Sequence, residues 1–162
     1  MKRIKKALIS VSNKKNLKNL LKILSKYNIE LISSGGTYKE IIKLKFKCLE
    51  VSEYTNSPEI LGGRVKTLHP KIHAGILSRR NNKSDQNDLK NNNFEEIDLV
   101  VVNFYPFEKT LEQTNNHIKI IENIDIGGPT MVRAAAKNYQ DITVITSSNQ
   151  YDELIDEMEK NK

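Results

Sequence analysis

Short apolar runs alternate with amphipathic stretches along this chain. Residues 7–11, 29–33, 47–51, 97–102 and 142–145 have the length and the aliphatic content of buried strands, and 97–102 is an uninterrupted Ile, Leu and Val run around one Asp. Between the first two, Leu17, Leu20, Leu21 and Leu24 fall at i, i+3, i+4 and i+7, which is one face of a helix, with Asn13 placed to cap it. A second helix is expected from Thr37 to about Leu44. Pro58 predicts a brief helical turn over 57–61 that Gly62-Gly63 stops. Residues 79–93 are Asn-rich and nearly devoid of apolar side chains, as in a surface loop or a mostly solvated helix. Pro106 closes the long strand, and Pro129 opens a lean helix through Met131, Val132 and Ala134–Ala136. Tyr151, Leu154, Ile155 and Met158 repeat the helical spacing at the end. Strand, loop and helix in regular succession predict an α/β fold of one three-layer domain over 1–162, with about five parallel strands and right-handed crossovers.

Composition agrees with one folded domain. The 162 residues are 38% apolar and 28% charged, enough of each for a buried core and a solvated surface. No apolar run approaches the roughly 20 residues of a membrane span. The single cysteine, Cys48, fits a reducing compartment, so the expectation is a cytoplasmic chain that does not touch a membrane. The net charge of +6 invites a nucleic-acid reading, yet 21 of the 26 basic residues are Lys, they are scattered, and aromatic residues make up only 6% without a single Trp. No nucleic-acid partner is expected.

Candidate chemistry sits just after the apolar runs, where ligands bind in open α/β sheets. Ser12-Asn13-Lys14 follows the first run. Ser34-Gly35-Gly36-Thr37 follows the second and opens a helix, the makings of a phosphate cradle; Gly35-Gly36 is equally a tight turn, with Thr37 and Glu40 as a capping box. Gly62-Gly-Arg-Val-Lys-Thr-Leu-His-Pro70 brings Arg64 and Lys66 into one loop, as an anion site or a solvated basic loop would. His69 and His73 are four apart, but Pro70 and Gly75 disfavour a regular helix and no third ligand is near. Asp125 precedes the lean helix that carries Arg133 and Lys137. Its apolar composition predicts that these two are not free surface charges, and Lys137 suits either proton transfer or a salt bridge to Asp125.

Taken together, Ser10-Val-Ser-Asn-Lys14, Ser34-Gly-Gly-Thr37, Gly63-Arg-Val-Lys-Thr-Leu-His-Pro70, His73-Ala-Gly-Ile-Leu77, Asn103-Phe-Tyr-Pro-Phe107 and Asp125-Ile-Gly-Gly128 with Arg133-Ala-Ala-Ala-Lys-Asn138 resemble the inosine monophosphate (IMP) cyclohydrolase family. The resemblance runs in order over nearly the whole chain. It implies a methylglyoxal-synthase-like fold, and a domain that in most members is the N-terminal part of a bifunctional enzyme with a formyltransferase in its second half. The implied reaction closes the ring of 5-formamidoimidazole-4-carboxamide ribonucleotide to give IMP and water, the last step of IMP synthesis, with no metal or organic cofactor. The implied nucleotide-binding residues are Ser12, Asn13, Lys14, Ser34, Gly35, Gly36, Thr37, Arg64 and Thr67, with Asn103, Asp125 and Ile126 at the base. Lys137 is implied as the proton donor and acceptor, supported by Lys66, Tyr105 and Asp125. A homodimer is implied as well.

Two departures stand out. Asn13 replaces the Asp of many members, which keeps an acceptor and removes a charge. The chain also ends at Lys162, so the formyltransferase is expected elsewhere, on the rest of a longer chain or on a separate one. The alternative from another class is a non-catalytic phosphate- or nucleotide-sensing domain of the same fold, like the regulatory region of carbamoyl phosphate synthetase. That role has no need of Lys66, Tyr105, Asp125 and Lys137 together. Methylglyoxal synthase itself fits less well, since its catalytic acid pattern is not found.

Overall fold

A computed structural model describes residues 3–160, so the two outermost positions at each end of the 1–162 domain lie outside it. In chain order the elements are β1 Lys6–Val11, α1 Leu17–Lys26, β2 Glu30–Ser33, α2 Gly35–Lys43, β3 Leu49–Glu50, α3 Val51–Thr55, α4 Pro70–Leu77, α5 Lys83–Asn91, β4 Leu99–Asn103, α6 Phe107–Gln113, α7 His117–Glu122, α8 Gly127–Lys137, β5 Thr143–Ile145 and α9 Tyr151–Lys160. All five strands are parallel, in the order β3-β2-β1-β4-β5. The order reverses between β1 and β4, which pair with Leu8 opposite Val100 and Val11 opposite Asn103. In doubly wound sheets a ligand crevice lies outside the carboxyl ends of the strands at such a reversal.

Alternation along each strand feeds two cores. Ala7, Ile9 and Val11 face Leu17, Leu20, Leu21 and Leu24 of α1, Ile41 of α2 and Tyr151 and Leu154 of α9. Leu8, Ile32, Val100 and Val102 face the other way, onto Ile72 and Ile76 of α4, Met131, Ala134 and Ala135 of α8 and Val51 and Tyr54 of α3. Helices on both faces make the three expected layers. With about 2 kcal/mol for each fully buried aliphatic side chain, these two clusters supply most of the driving force for folding.

Several local expectations change. Asn13 does not cap α1: the helix starts at Leu17, behind Asn16 in the left-handed region, and Asn13 Oδ1 instead accepts from Lys15 N at 2.9 Å. The helical turn expected over 57–61 is absent, and one forms earlier as α3, because Val51 and Tyr54 reach the core whereas Ile60 and Leu61 stay exposed. The third strand shortens to two residues. Residues 79–93 contain the solvated helix α5, whose only buried side chain is Leu89. The stretch around Pro70 and Gly75 is a regular helix after all. Proline sits in the first turn of α4, where no N–H is needed, His69 caps it by accepting from Lys71 N at 3.1 Å, and Gly75 lies against the Glu95 carbonyl. No described helix is long and apolar enough to cross a membrane.

Candidate functional site

The carboxyl ends of β1, β2 and β4 carry the residues that the sequence singled out. Ser34 precedes α2 in extended conformation, and Gly35 follows at φ +54°, a left-handed geometry that glycine adopts without strain. The first N–H groups of α2 have no partner within the helix and carry its positive dipole end. Two ammonium groups join them. A β-carbon on Gly35 would lie 3.4 Å from Lys66 Nζ, and one on Gly36 would lie 4.0 Å from Lys14 Nζ. Lys14 Nζ also donates to Ser12 O at 3.4 Å. A helix start and two cations on an open glycine pair have the chemistry that a phosphate-sized anion needs, which makes this the candidate anion site.

Thr37 takes no part in a capping box. Buried, it accepts from Val11 N and donates to Val11 O, both at 3.0 Å, so its hydroxyl ties α2 to the end of β1. Asn103 is committed in a similar way. Its Oδ1 accepts from Asn13 N at 2.8 Å and its Nδ2 donates to Asn13 O at 3.0 Å, so that the end of β4 holds the loop after β1 across the reversal point.

Residues 59–67 fold over this end as a small hairpin. Ile60 and Val65 pair in antiparallel fashion, and the tip turns through Leu61, Gly62 and Gly63, all at positive φ. Lys66 pairs with Glu59 at 2.7 Å. Arg64 points away to Glu122, which it meets through Nη2 and, at 3.2 Å, through Nε. The pair holds the Glu122 carboxyl below its ordinary range and raises the Arg64 guanidinium. Thr67 is buried, with its Oγ1 2.6 Å from where a β-carbon on Gly127 would sit, so the hairpin's base packs on the start of α8. There Asp125 Oδ1 accepts from Gly128 N at 3.0 Å and stabilises the helix start, while Ile126 is exposed.

Tyr105 follows β4 by two residues at the same end of the sheet and is 58% exposed. Lys137 is not brought to the cluster. As the last residue of α8 it lies about 15 Å along the helix from Gly127, at the amino ends of the strands. Lys137 and Arg133 are both exposed, contrary to the expectation for so apolar a helix, because Met131, Ala134 and Ala135 occupy its buried face. Among the described residues no ion pair joins Lys137 to Asp125. His69 and His73 are turned to α4, with His73 Nδ1 3.3 Å from His69 O, and no described cluster of three or more His, Cys, Asp or Glu could hold a metal. A cavity of about 460 Å³ lies at the far end of the sheet among Lys5, Lys6, Glu30 and Glu95, but its buried cation Lys6 is already paired with Glu30 at 3.3 Å and with Glu95.

The sequence profile of the MGS-like domain matches residues 16–130, most of the chain. The chain belongs to the MGS-like domain family. It is 52% identical over 155 residues to the bifunctional purine biosynthesis protein PurH of Prochlorococcus marinus (strain MIT 9301), covering 95% of this chain and 30% of that protein. To the PurH of Clostridium acetobutylicum it is 52% identical over 157 residues, covering 97% of this chain and 32% of the relative. It thus spans about a third of the length of these relatives. Among solved structures, the crystal structure of ForH superposes with a TM-score of 0.85 at 28% identity, over 98% of this chain and 81% of that one. The five-stranded parallel sheet with helices on both faces is the expected MGS-like architecture.

Glu59 and Glu122 went unnoticed in the sequence, although both hold cations of the 59–67 hairpin. For Glu59 a signal existed: it and Lys66 are placed symmetrically about Ile60 and Val65, the flanks of a Leu-Gly-Gly turn. Glu122 had none, since its partner is remote in sequence.

Proposed function

We propose that this MGS-like domain closes the purine ring: it takes 5-formamidoimidazole-4-carboxamide ribonucleotide to IMP and water, with the formylated substrate supplied by a formyltransferase on a longer form of the chain or on a separate one. The observation that carries the reading is the convergence of Lys14 and Lys66 on the glycine-opened start of α2, in a chain half identical to one third of PurH.

In this reading the ribonucleotide phosphate lies on the N–H groups of Gly35, Gly36 and Thr37, between Lys14 and Lys66, with Ser12, Asn13 and Ser34 around it. Arg64 joins it only by exchanging Glu122 for the phosphate, and Thr67 acts from below by fixing the hairpin's base on the start of α8. The base extends toward Asn103, Tyr105, Asp125 and Ile126. The carboxamide nitrogen attacks the formyl carbon of the same molecule, the formyl oxygen takes up negative charge, and protons move from nitrogen to oxygen until water leaves. An intramolecular attack gains most from a substrate held in the attacking conformer, and the oxyanion from a fixed cation. Lys66, with Tyr105 and Asp125 at the same end of the sheet, is the cation in place. Asn103 acts by holding the 12–14 loop, and Thr37 by holding α2. Lys137, at the other end of α8, serves this ligand only from a second copy, which makes the homodimer part of the reading.

The experiment is conversion of the formamido ribonucleotide by the purified chain without added metal or folate. Turnover supports the enzyme; a folded chain that binds IMP without turnover supports the nucleotide-sensing alternative.

A further inference from the structure

We infer that Glu59 is a positioning residue: it holds the Lys66 ammonium over the start of α2 and so prepares the anion site before a ligand arrives. The inference rests on the nucleotide-binding reading of that site and adds to it a residue outside the set so far assigned.

Lys66 has reason to leave. It shares the start of α2 with the Lys14 ammonium and with the positive end of the helix dipole, and like charges gathered in a partly solvated site push a flexible lysine outward. Glu59 opposes this at 2.7 Å. The hairpin makes the pair obligatory. Ile60 N donates to Val65 O at 3.3 Å and Val65 N to Ile60 O at 3.4 Å, which sets Glu59 and Lys66 directly across from each other as the next cross-strand neighbours. Gly63 leaves the room. At φ +91° it has a conformation suited to glycine, and a β-carbon there would collide with Glu59 Oε1 and lie 3.0 Å from Lys66 Cε and Nζ. Lys14, by contrast, has among the described residues only the Ser12 carbonyl, at 3.4 Å, to hold it. Both members of the pair keep partial solvent access, with 40% and 32% of their side chains exposed, so an entering phosphate can take up the ammonium's remaining N–H groups without first breaking the pair.

A double-mutant cycle reads this directly. Calorimetric affinities for IMP and for inorganic phosphate are measured in the wild type, Glu59→Ala, Lys66→Ala and the double variant, with a thermal melt of each. Expected are a roughly tenfold loss for Glu59→Ala and a loss for the double variant within about twofold of that for Lys66→Ala alone. Independent, multiplicative losses overturn the inference, as does tighter binding by Glu59→Ala, which would make Glu59 a competitor of the anion, and so does a wild type that binds neither probe. If Glu59→Ala loses the folded state, Glu59→Gln, which keeps the size of the side chain, takes its place in the cycle. Coupled binding without any turnover contradicts the ring-closing reading and leaves the role of Glu59 standing; turnover with independent losses does the reverse.

Discussion

At the scale of single residues, polar side chains next to the anion site divide into those free for a ligand and those already spent on the backbone. Thr37 and Asn103 are of the second kind: each uses one side chain to satisfy both the N–H and the C=O of a residue at the end of β1 or just beyond it. Their value to the site is the placement of α2 and of the loop carrying Lys14. Asn103→Ala therefore removes two hydrogen bonds at about 0.5–1.5 kcal/mol each and lets that loop drift. A loss of about 1–2 kcal/mol in denaturant unfolding is expected, together with several-fold weaker IMP binding by calorimetry; unchanged values of both would contradict the clamp. None of this was legible in the sequence. A Thr or an Asn after a strand reads as a ligand group, and only the tertiary fold discloses that the backbone has already engaged it.

At the scale of elements, legibility follows burial. The strands β1, β2 and β4, which feed both cores, and the helices α1, α8 and α9 with a wide apolar face are readable because burial dictates their spacing; the edge strand β5 shows through the aliphatic run Ile142–Ile145 alone. The short helices α3, α6 and α7 offer too few turns for a period to show, and no side chain of α6 or α7 is buried. Helix α4 was obscured by its own Pro70 and Gly75, residues that usually break helices. The structure gives each a reason, and for Gly75 the reason has a measurable consequence. Alanine is the better helix former by about 1 kcal/mol, yet a β-carbon there would stand 2.6 Å from the Glu95 carbonyl oxygen, a backbone atom held in place as Ile97 N donates to Gly75 O at 3.0 Å. Overpacking wins, and Gly75→Ala is expected to destabilise the domain by about 1–3 kcal/mol in chemical denaturation; a gain in stability would show that the α4 contact is slack.

At the scale of the whole molecule, the +6 charge resolves into a few placed cations over a scattered background. Lys14 and Lys66 gather at the carboxyl ends of the strands, while Lys137 is about 15 Å down α8 at the amino ends. If both Lys66 and Lys137 serve one reaction, each site takes them from different copies. Lys66→Ala and Lys137→Ala are then each inactive, and mixing them after joint refolding restores about a quarter of the wild-type rate, since half the dimers are hybrids with one intact site of two. A mixture as dead as its parts would place both lysines in one chain, and an active Lys137→Ala would remove Lys137 from the reaction. The most direct measurement of all is ring closure itself: 5-formamidoimidazole-4-carboxamide ribonucleotide is incubated with the purified, folded chain without folate or added metal, and IMP is followed by its absorbance. Expected is IMP formation that saturates with substrate and is abolished by Lys66→Ala; a rate no greater than that of the uncatalysed solution would contradict ring closure by this domain.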